Sequence, residues 1–238
     1  MAHGQRSFRN AVINAGRWIL DAVFPEYCLA CDSLGVAFCD SCQAALTAKP
    51  ARRTLSDGTE VVALYPYADP KMRALLSMYK FRGRTSLRRA LTPLLAKAIG
   101  PGLVPDFPVR VVPIPLFSRR QRERGFNQAE ELARIALAHL PAGSKIEHSL
   151  RRVRNTFQQS MLLPNERRAN LVGAFRAAAP IAADEHYLLV DDVVTTGETI
   201  AAAAAALRLS GARNVSALAL SYAATSGDIG CPKNSGDN

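Results

Sequence analysis

The chain contains 238 residues, of which 48% are hydrophobic and 21% charged, and it carries a formal net charge of +10. This length is enough for one sizeable α/β domain with a small additional module, and the composition is that of a globular protein rather than a disordered one. No stretch approaches the roughly 18 apolar residues of a membrane helix, so we expect no membrane insertion and a cytoplasmic location.

The first segment, residues 1–24, is predicted to form an amphipathic helix that docks on the body of the protein. Apolar residues such as Trp18 and Phe24 fit one helical face. Arg17 and Asp21 interrupt the apolar run, and no small-residue cleavage site follows it, which argues against a secretory signal. An organellar presequence is the alternative, because the segment carries arginines and few acids.

The next segment, residues 25–50, contains two Cys-x-x-Cys pairs in the sequence CLACDSLGVAFCDSC. Two such pairs complete a tetrahedral shell of thiolates around Zn²⁺, so a small zinc ribbon is predicted. The four ligands would be Cys28, Cys31, Cys39 and Cys42. Disulfides and a redox pair are the alternatives, but a reducing cytosol disfavours the first and no thioredoxin-like context supports the second. Because four ligands leave no open coordination position, the metal is expected to be structural.

Residues 58–224 alternate between strand patterns and helix patterns. Strands are predicted at 59–67, 109–115, 145–148, 186–190 and 214–223. Helices are predicted at 71–83, 86–100, 128–140 and 199–211, with Asn127 capping the third of them. This alternation predicts an α/β fold, a parallel twisted sheet flanked by helices on both faces. A disordered tail is expected at 225–238.

Two adjacent aspartates follow a hydrophobic strand in the sequence YLLVDDVVTTGET. Strand alternation is expected to send their side chains to opposite sides, which suits hydroxyl recognition better than a close acid–base pair. The threonines, the glycine and the free amides of the following helix suit a phosphate group. The predicted ribose and phosphate residues are Asp191, Asp192, Val193, Val194, Thr195, Thr196, Gly197, Glu198 and Thr199. The alternative is an aspartate pair that only caps the following helix.

Basic residues are concentrated in three stretches, and arginine is well suited to phosphate because its planar fork bonds two oxygens. A phosphorylated metabolite, a nucleic acid or both are therefore expected as partners. The residues predicted to hold pyrophosphate or nucleic-acid phosphates are Lys80, Arg82, Arg122, Arg124, Asn127, Gln128, Arg152, Arg154, Gln159 and Arg167. Phe81, Phe126 and Phe157 lie among them and are candidates for base stacking, with core packing as the alternative.

Several of these stretches together resemble the ComF family, also called GntX-like, of competence and DNA-utilization proteins. The resemblance is carried by the cysteine segment and by MYKFRGR, VVPIPLFSRRQRERGFNQAEELA and LRRVRNTFQQSMLLPNERRANLVGAF. YLLVDDVVTTGET resembles the phosphoribosyl-diphosphate signature of type I phosphoribosyltransferases. The resemblance covers nearly the whole chain and implies a type I phosphoribosyltransferase-like domain behind an N-terminal zinc ribbon.

The resemblance implies binding of phosphoribosyl diphosphate or a related sugar phosphate, together with Mg²⁺. It also implies a role in competence-related DNA uptake or utilization, with single-stranded DNA on the basic surface and a DNA-uptake or helicase protein as a possible partner. The alternatives are an active phosphoribosyltransferase of nucleotide metabolism with an unknown acceptor, and a zinc-stabilised adaptor with a vestigial pocket. Thr195 stands where some purine-specific relatives carry an aspartate, which argues against purine-base salvage.

Overall fold

The computed structural model describes residues 26–81, 84–117, 121–122, 125–154 and 173–223. The predicted N-terminal helix and the predicted C-terminal tail lie outside these residues. Within them, no helix is both long enough and apolar enough to cross a membrane.

The helices and strands are numbered here in chain order. The strands are β1 (Ala51–Thr54), β2 (Glu60–Pro66), β3 (Arg110–Pro113), β4 (Lys145–Ile146), β5 (Leu150–Arg152), β6 (Phe175–Ala177), β7 (His186–Val194) and β8 (Asn214–Tyr222). The helices are α1 (Asp40–Ala45), α2 (Pro70–Phe81), α3 (Arg84–Ala98), α4 (Gln128–Ala136) and α5 (Glu198–Leu209), and a short 3₁₀ turn (Leu137–His139) follows α4.

Six strands form one sheet in the order β1-β2-β8-β7-β3-β4. Every neighbouring pair is parallel except β1 and β2, which form an antiparallel hairpin. Parallel neighbours need helical crossovers, and these crossovers place helices on the faces of the sheet. The predicted α/β fold with a mostly parallel sheet is therefore confirmed.

Each face of the sheet is covered by its own hydrophobic cluster. Leu188 and Val190 of β7 belong to the cluster that contains α2, α3, α4 and the cysteine segment. Tyr187 and Leu189 belong to the cluster on the other face, which contains α5 and the antiparallel pair β5 and β6. This division follows from the alternation of side chains along a strand. The many alanines of α5 bring this helix close to the sheet.

Three parts of the fold differ from what the sequence predicted. The strand β1 precedes residue 58, where the α/β domain was predicted to begin, yet it pairs with β2 over its whole length, from Ala51↔Ala63 to Thr54↔Glu60. The strand β7 continues to Val194 instead of ending at 190, because β8 pairs with it as far as Val194↔Tyr222. The antiparallel pair of β5 and β6 was not predicted, since each of its strands has only three residues.

Candidate functional site

The four cysteine sulfurs lie within 4.8 Å of one another. The Sγ atoms of Cys31 and Cys39 are 3.6 Å apart, close to the roughly 3.8 Å between two thiolates on a tetrahedral zinc ion. None of the four cysteines forms a disulfide. The donor set and its spacing therefore fit a structural metal ion, and the cluster fits a zinc ribbon.

The backbone around the cysteines turns their sulfurs inward. Asp32 has a positive φ of 58° and its N–H donates to the carbonyl of Cys28 at 2.8 Å, which closes the first turn. The N–H of Cys39 donates to the Sγ of Cys28 at 3.4 Å and links the two pairs. A hydrogen bond with Ser41 lowers the pKa of Cys39 to about 5, whereas burial raises the pKa of Cys42. Hydrogen bonds with Ser33 also lower the pKa of Cys31, so the two more accessible thiols ionise more readily than the buried Cys42.

The two aspartates lie beyond the end of the neighbouring strand. β3 ends at Pro113 opposite Val190, and the N–H of Ile114 makes the last bond to the carbonyl of Val190 at 2.9 Å. The chain of β7 continues past this point, so Asp191 and Asp192 stand at the carboxyl edge of the sheet. This is where ligands bind in open parallel sheets.

The carboxyl groups of Asp191 and Asp192 interact with each other. Each is fixed by the following amide: Oδ1 of Asp191 accepts the N–H of Asp192 at 2.9 Å, and Oδ1 of Asp192 accepts that of Val193 at 2.8 Å. Burial raises the pKa of Asp191 well above its usual value, and the charge of Asp192 raises it further, although Arg152 acts in the opposite direction. The two groups are thus close enough to influence each other, although strand alternation predicted opposite orientations.

A small pocket of about 20 Å³ lies between Asp191 and the start of α5, and we name it the loop cradle; Asp192 is not among its lining residues. Its lining residues are Asp191, Val193, Val194, Thr195, Gly197, Glu198, Thr199 and Ile200. Gly197 has a φ of 85° and directly precedes α5, so the unpaired amides of the first helical turn face this region. Seven of the nine predicted ribose and phosphate residues therefore line one pocket, together with Ile200, which was not predicted.

A second, apolar cleft of about 490 Å³ lies on the outer side of the same loop. Thr196, which was predicted to contact phosphate, is exposed and lines this outer cleft rather than the loop cradle. The cleft is bounded by alanines of α5 and by the turn between β1 and β2. Although burial opposes ionisation of Asp57 in this turn, hydrogen bonds from Thr59 and the charge of Arg208 hold its pKa below the usual value.

The sequence did not predict the residues that contact the loop between β7 and α5 from the hairpin of β1 and β2. Nη2 of Arg53 donates to the carbonyl of Thr195 at 2.7 Å, and Leu55 lies against Gly197. Both residues come from the hairpin of β1 and β2. The local sequence contains no signal for these contacts, because they join residues more than 140 positions apart.

The predicted phosphate-binding residues have different surroundings. Arg152 is partly buried, its guanidinium carbon lies 5.3 Å from the centroid of the Phe175 ring, and its charge acts on Asp191.

The other predicted phosphate-binding residues lie elsewhere. Arg122 and Arg154 are exposed. Gln128 is buried at 2% exposure. Lys80 lies in α2, and its side chain is not described. Arg82, Arg124, Gln159 and Arg167 lie outside the described residues, as does Phe157.

Asn127 has a structural role, as its capping prediction required. Its Oδ1 accepts the N–H of Ala129 at 3.1 Å and its Nδ2 donates to the carbonyl of Ile114 at 3.0 Å. The neighbouring Phe126 packs against the first hydrophobic cluster. The bond to Ile114 connects the segment before α4 with the chain that leaves β3, next to the aspartates.

Comparison with known proteins found several relatives, whereas no protein-family model matches the chain. The chain is 35% identical over 189 residues to "DNA utilization protein YhgH" of Salmonella typhimurium, which covers 76% of this chain and 82% of the relative. It is 29% identical over 207 residues to "Competence protein F" of Haemophilus influenzae, covering 84% of this chain and 86% of the relative. It is 33% identical over 145 residues to "Competence protein ComFC" of Bacillus subtilis, covering 61% and 56%.

Proposed function

Because the chain belongs to the ComF family of competence and DNA-utilization proteins, we propose that it acts in the uptake or utilization of DNA and binds phosphoribosyl diphosphate or a related sugar phosphate. The observation that carries the ligand is the position of the loop cradle, at the start of α5 and lined by Asp191, whose neighbour in β7 is a second carboxylate, Asp192. A phosphate group matches the amides of the helix start, and a vicinal diol matches the carboxylates.

Different residues of the site would bind different groups of the ligand. Thr195, Gly197 and Thr199 surround the 5-phosphate, and Asp191 and Asp192 accept hydrogen bonds from the ribose hydroxyls. Mg²⁺ is usually held by substrate phosphates and one or two carboxylates, so it would arrive with the diphosphate. Arg152 supplies positive charge on the same side as Asp191.

Titration calorimetry with phosphoribosyl diphosphate and Mg²⁺ tests this assignment. We expect binding by the wild-type protein and a loss of at least tenfold in affinity for Asp191→Asn with Asp192→Asn, because hydrogen bonds to charged groups contribute about 1.5–3 kcal/mol each. Asp184→Asn, an exposed change that precedes β7, is the matched control. If the wild-type protein shows no binding in this titration, the proposed ligand is wrong.

Single-stranded DNA is the second proposed ligand, held by exposed arginines such as Arg122 and Arg154. Fluorescence anisotropy with a labelled oligonucleotide should show an affinity that falls steeply as salt rises from about 50 to 200 mM. Arg154→Gln should weaken binding, whereas Arg213→Gln should not, because Arg213 is exposed near the amino end of β8, at the opposite edge of the sheet. A salt-independent affinity contradicts the proposal. A competition experiment with phosphoribosyl diphosphate then shows whether the two ligands share a site.

Zn²⁺ is the proposed occupant of the cysteine cluster, because tetrahedral thiolate coordination is typical of structural zinc. A DNA-uptake or helicase protein is the partner that a competence role requires. Pull-down with such a protein in the presence of single-stranded DNA tests this partner, and equal recovery without DNA would show that DNA is not the link.

An active phosphoribosyltransferase is the second candidate function, and the position of Asp191 in the loop cradle, at the carboxyl edge of the parallel sheet, favours it. An acceptor would attack the anomeric carbon of phosphoribosyl diphosphate, and pyrophosphate would leave. Electrostatic stabilisation and positioning would supply most of the catalysis. A coupled assay of pyrophosphate release over a panel of acceptors tests this function, and release no faster than in the doubly substituted Asn variant would exclude it for those acceptors.

A further inference from the structure

The hairpin of β1 and β2 fixes one peptide of the phosphate-binding loop. Nη2 of Arg53 donates to the carbonyl oxygen of Thr195 at 2.7 Å, in a partly buried position. In a trans peptide the carbonyl and the following N–H point in opposite directions. The bond therefore holds the peptide between Thr195 and Thr196 in one orientation, with its N–H directed away from Arg53.

The same hairpin closes the space behind Gly197. A Cβ atom at this position would lie 2.5 Å from Cδ2 and 3.1 Å from Cδ1 of Leu55. Gly197 also has a φ of 85°, which other residues rarely adopt. The loop backbone thus packs directly on Leu55, and no side chain separates the hairpin from the start of α5.

The hairpin is itself anchored at the far end of α5. Asp57 accepts hydrogen bonds from the N–H and hydroxyl of Thr59, at 3.1 and 2.8 Å, which fix the turn. The carboxylate of Asp57 also pairs with Nη1 of Arg208, in the last turn of α5, at 2.7 Å. Contacts near both ends of α5 therefore hold the turn in place, so Arg53 and Leu55 are presented to the loop by a fixed support.

Arg53 also brings positive charge close to the loop. Its Nη2 lies 3.0 Å from the Cβ position of Gly197. A guanidinium behind the amides adds to the attraction that a helix start exerts on an anion.

We propose that Arg53 and Leu55 are positioning residues, which hold the loop cradle in the conformation that binds phosphate without touching the ligand. This inference rests on the proposed sugar-phosphate function. It adds two residues of the hairpin to the site and gives β1, an antiparallel edge strand on a parallel sheet, a specific role.

The test compares Arg53→Gln with Arg52→Gln. The two substitutions remove the same charge from adjacent positions of β1, but Arg52 is exposed on the other side of the strand, where it contacts Glu60 and the carbonyl of Gly102. Amide hydrogen exchange is carried out on each intact protein without ligand and is followed in the fragment that contains residues 195–199. The affinity of each protein for ribose 5-phosphate is measured by calorimetry.

For Arg53→Gln we expect exchange about fivefold faster or more, and ribose 5-phosphate affinity reduced about tenfold, because a charge-assisted hydrogen bond is lost. Arg52→Gln should match the wild-type protein within about twofold in both measurements. Arg53→Gln should lower the thermal midpoint by only a few degrees, as the loss of one hydrogen bond requires. Peptides outside the loop should exchange at the wild-type rate in both variants, which separates positioning from a general loss of stability.

Unchanged exchange in Arg53→Gln overturns the proposal, and so does faster exchange without loss of affinity. If the wild-type protein binds neither ribose 5-phosphate nor phosphoribosyl diphosphate, the sugar-phosphate function is wrong and Arg53 positions no ligand site. In that case the exchange comparison still decides whether Arg53 holds the loop.

Discussion

Asn127 is joined to Ile114 by a hydrogen bond of 3.0 Å from its side-chain amide to the buried carbonyl, while its own Oδ1 caps α4. One side chain thus fixes both the helix start and the chain that leaves β3. This chain lies beside Val190, which directly precedes the aspartates.

Replacement of Asn127 should separate these two contributions. Asn127→Ala loses the cap and leaves the Ile114 carbonyl without its donor, and we expect a cost of about 2–4 kcal/mol in the free energy of unfolding. Asn127→Ser retains a capping oxygen but loses the donor, so it should cost about 1 kcal/mol less. Urea denaturation measures both values, and equal costs would show that the cap contributes nothing.

Gly197 should tolerate no side chain while Leu55 is present. Gly197→Ala places a methyl group 2.5 Å from Leu55 and strains a backbone with φ of 85°, a strain of about 1–2 kcal/mol by itself. The double variant with Leu55→Ala removes the collision but not the strain. We therefore expect a partial recovery of stability relative to Gly197→Ala with Leu55 intact, measured by a double-mutant cycle in urea. Purely additive costs would show that the two residues do not press on each other.

If the four cysteines hold Zn²⁺ as proposed, loss of one of them should release the metal and destabilise the fold. Cys42 is buried in the cluster that also contains residues of α3, so the cysteine cluster and the sheet share one core. For Cys42→Ser we expect less than one equivalent of zinc by mass spectrometry and a thermal midpoint lower by about 10 °C. The control is Cys231→Ser, which changes the fifth cysteine of the chain, outside the described residues and outside the two Cys-x-x-Cys pairs, and this variant should keep one equivalent. Full metal content in Cys42→Ser would contradict the assignment.

The metal affinity should also fall at low pH. Metal ligands must be deprotonated, and burial raises the pKa of Cys42, so protons compete with the metal at this residue. Removal by a chelator should therefore be faster at pH 6 than at pH 8 in the wild-type protein. A rate that does not change with pH would indicate that the thiols are not the ligands.

Asp191→Asn should stabilise the protein at neutral pH while it weakens ligand binding. Burial and the charge of Asp192 raise the pKa of Asp191 in the folded state. The folded protein then holds this proton more tightly than the unfolded chain, and stability falls as pH rises from the unfolded to the folded pKa. The variant carries no such charge, so its urea midpoint should exceed that of the wild-type protein at pH 7.5. The difference should vanish in acid, and Asp184→Asn should show neither effect.

The sequence was sufficient for the parts of the fold that local patterns determine. The helices have clear periodicity, and β7 and β8 contain the continuous hydrophobic runs of strands that are buried on both faces. The run from Asp191 to Thr199 is marked by its own residue types, although its first four residues belong to β7. The cysteine spacing likewise determined the cluster that the structure contains. In each of these cases the interacting residues are close together in the chain.

The remaining parts depend on contacts between distant residues. The residues of β1, ARRT, contain no apolar side chain larger than that of Ala51 and show no hydrophobic alternation. They form a strand because they pair with β2. Neither β5 nor β6 has enough residues to show a period, and only their pairing, Arg152↔Phe175 included, makes them strands. The role of Arg53 is invisible locally for the same reason, because its partner Thr195 belongs to another part of the chain.

The last of the described strands, β8, lies in the middle of the sheet, between β2 and β7. During synthesis β2 leaves the ribosome early, whereas its parallel partner β8 leaves it only when nearly the whole chain has been made. The two strands pair in the register Val62↔Leu218. Pairing across such a sequence separation is slow, because the intervening loop must be closed first. A nascent or truncated chain that ends before Asn214 therefore lacks the strand that joins the two halves of the sheet, and the edges of β2 and β7 that face β8 are left unpaired. Such edges favour aggregation, so we expect this chain to be bound by chaperones or degraded by proteases.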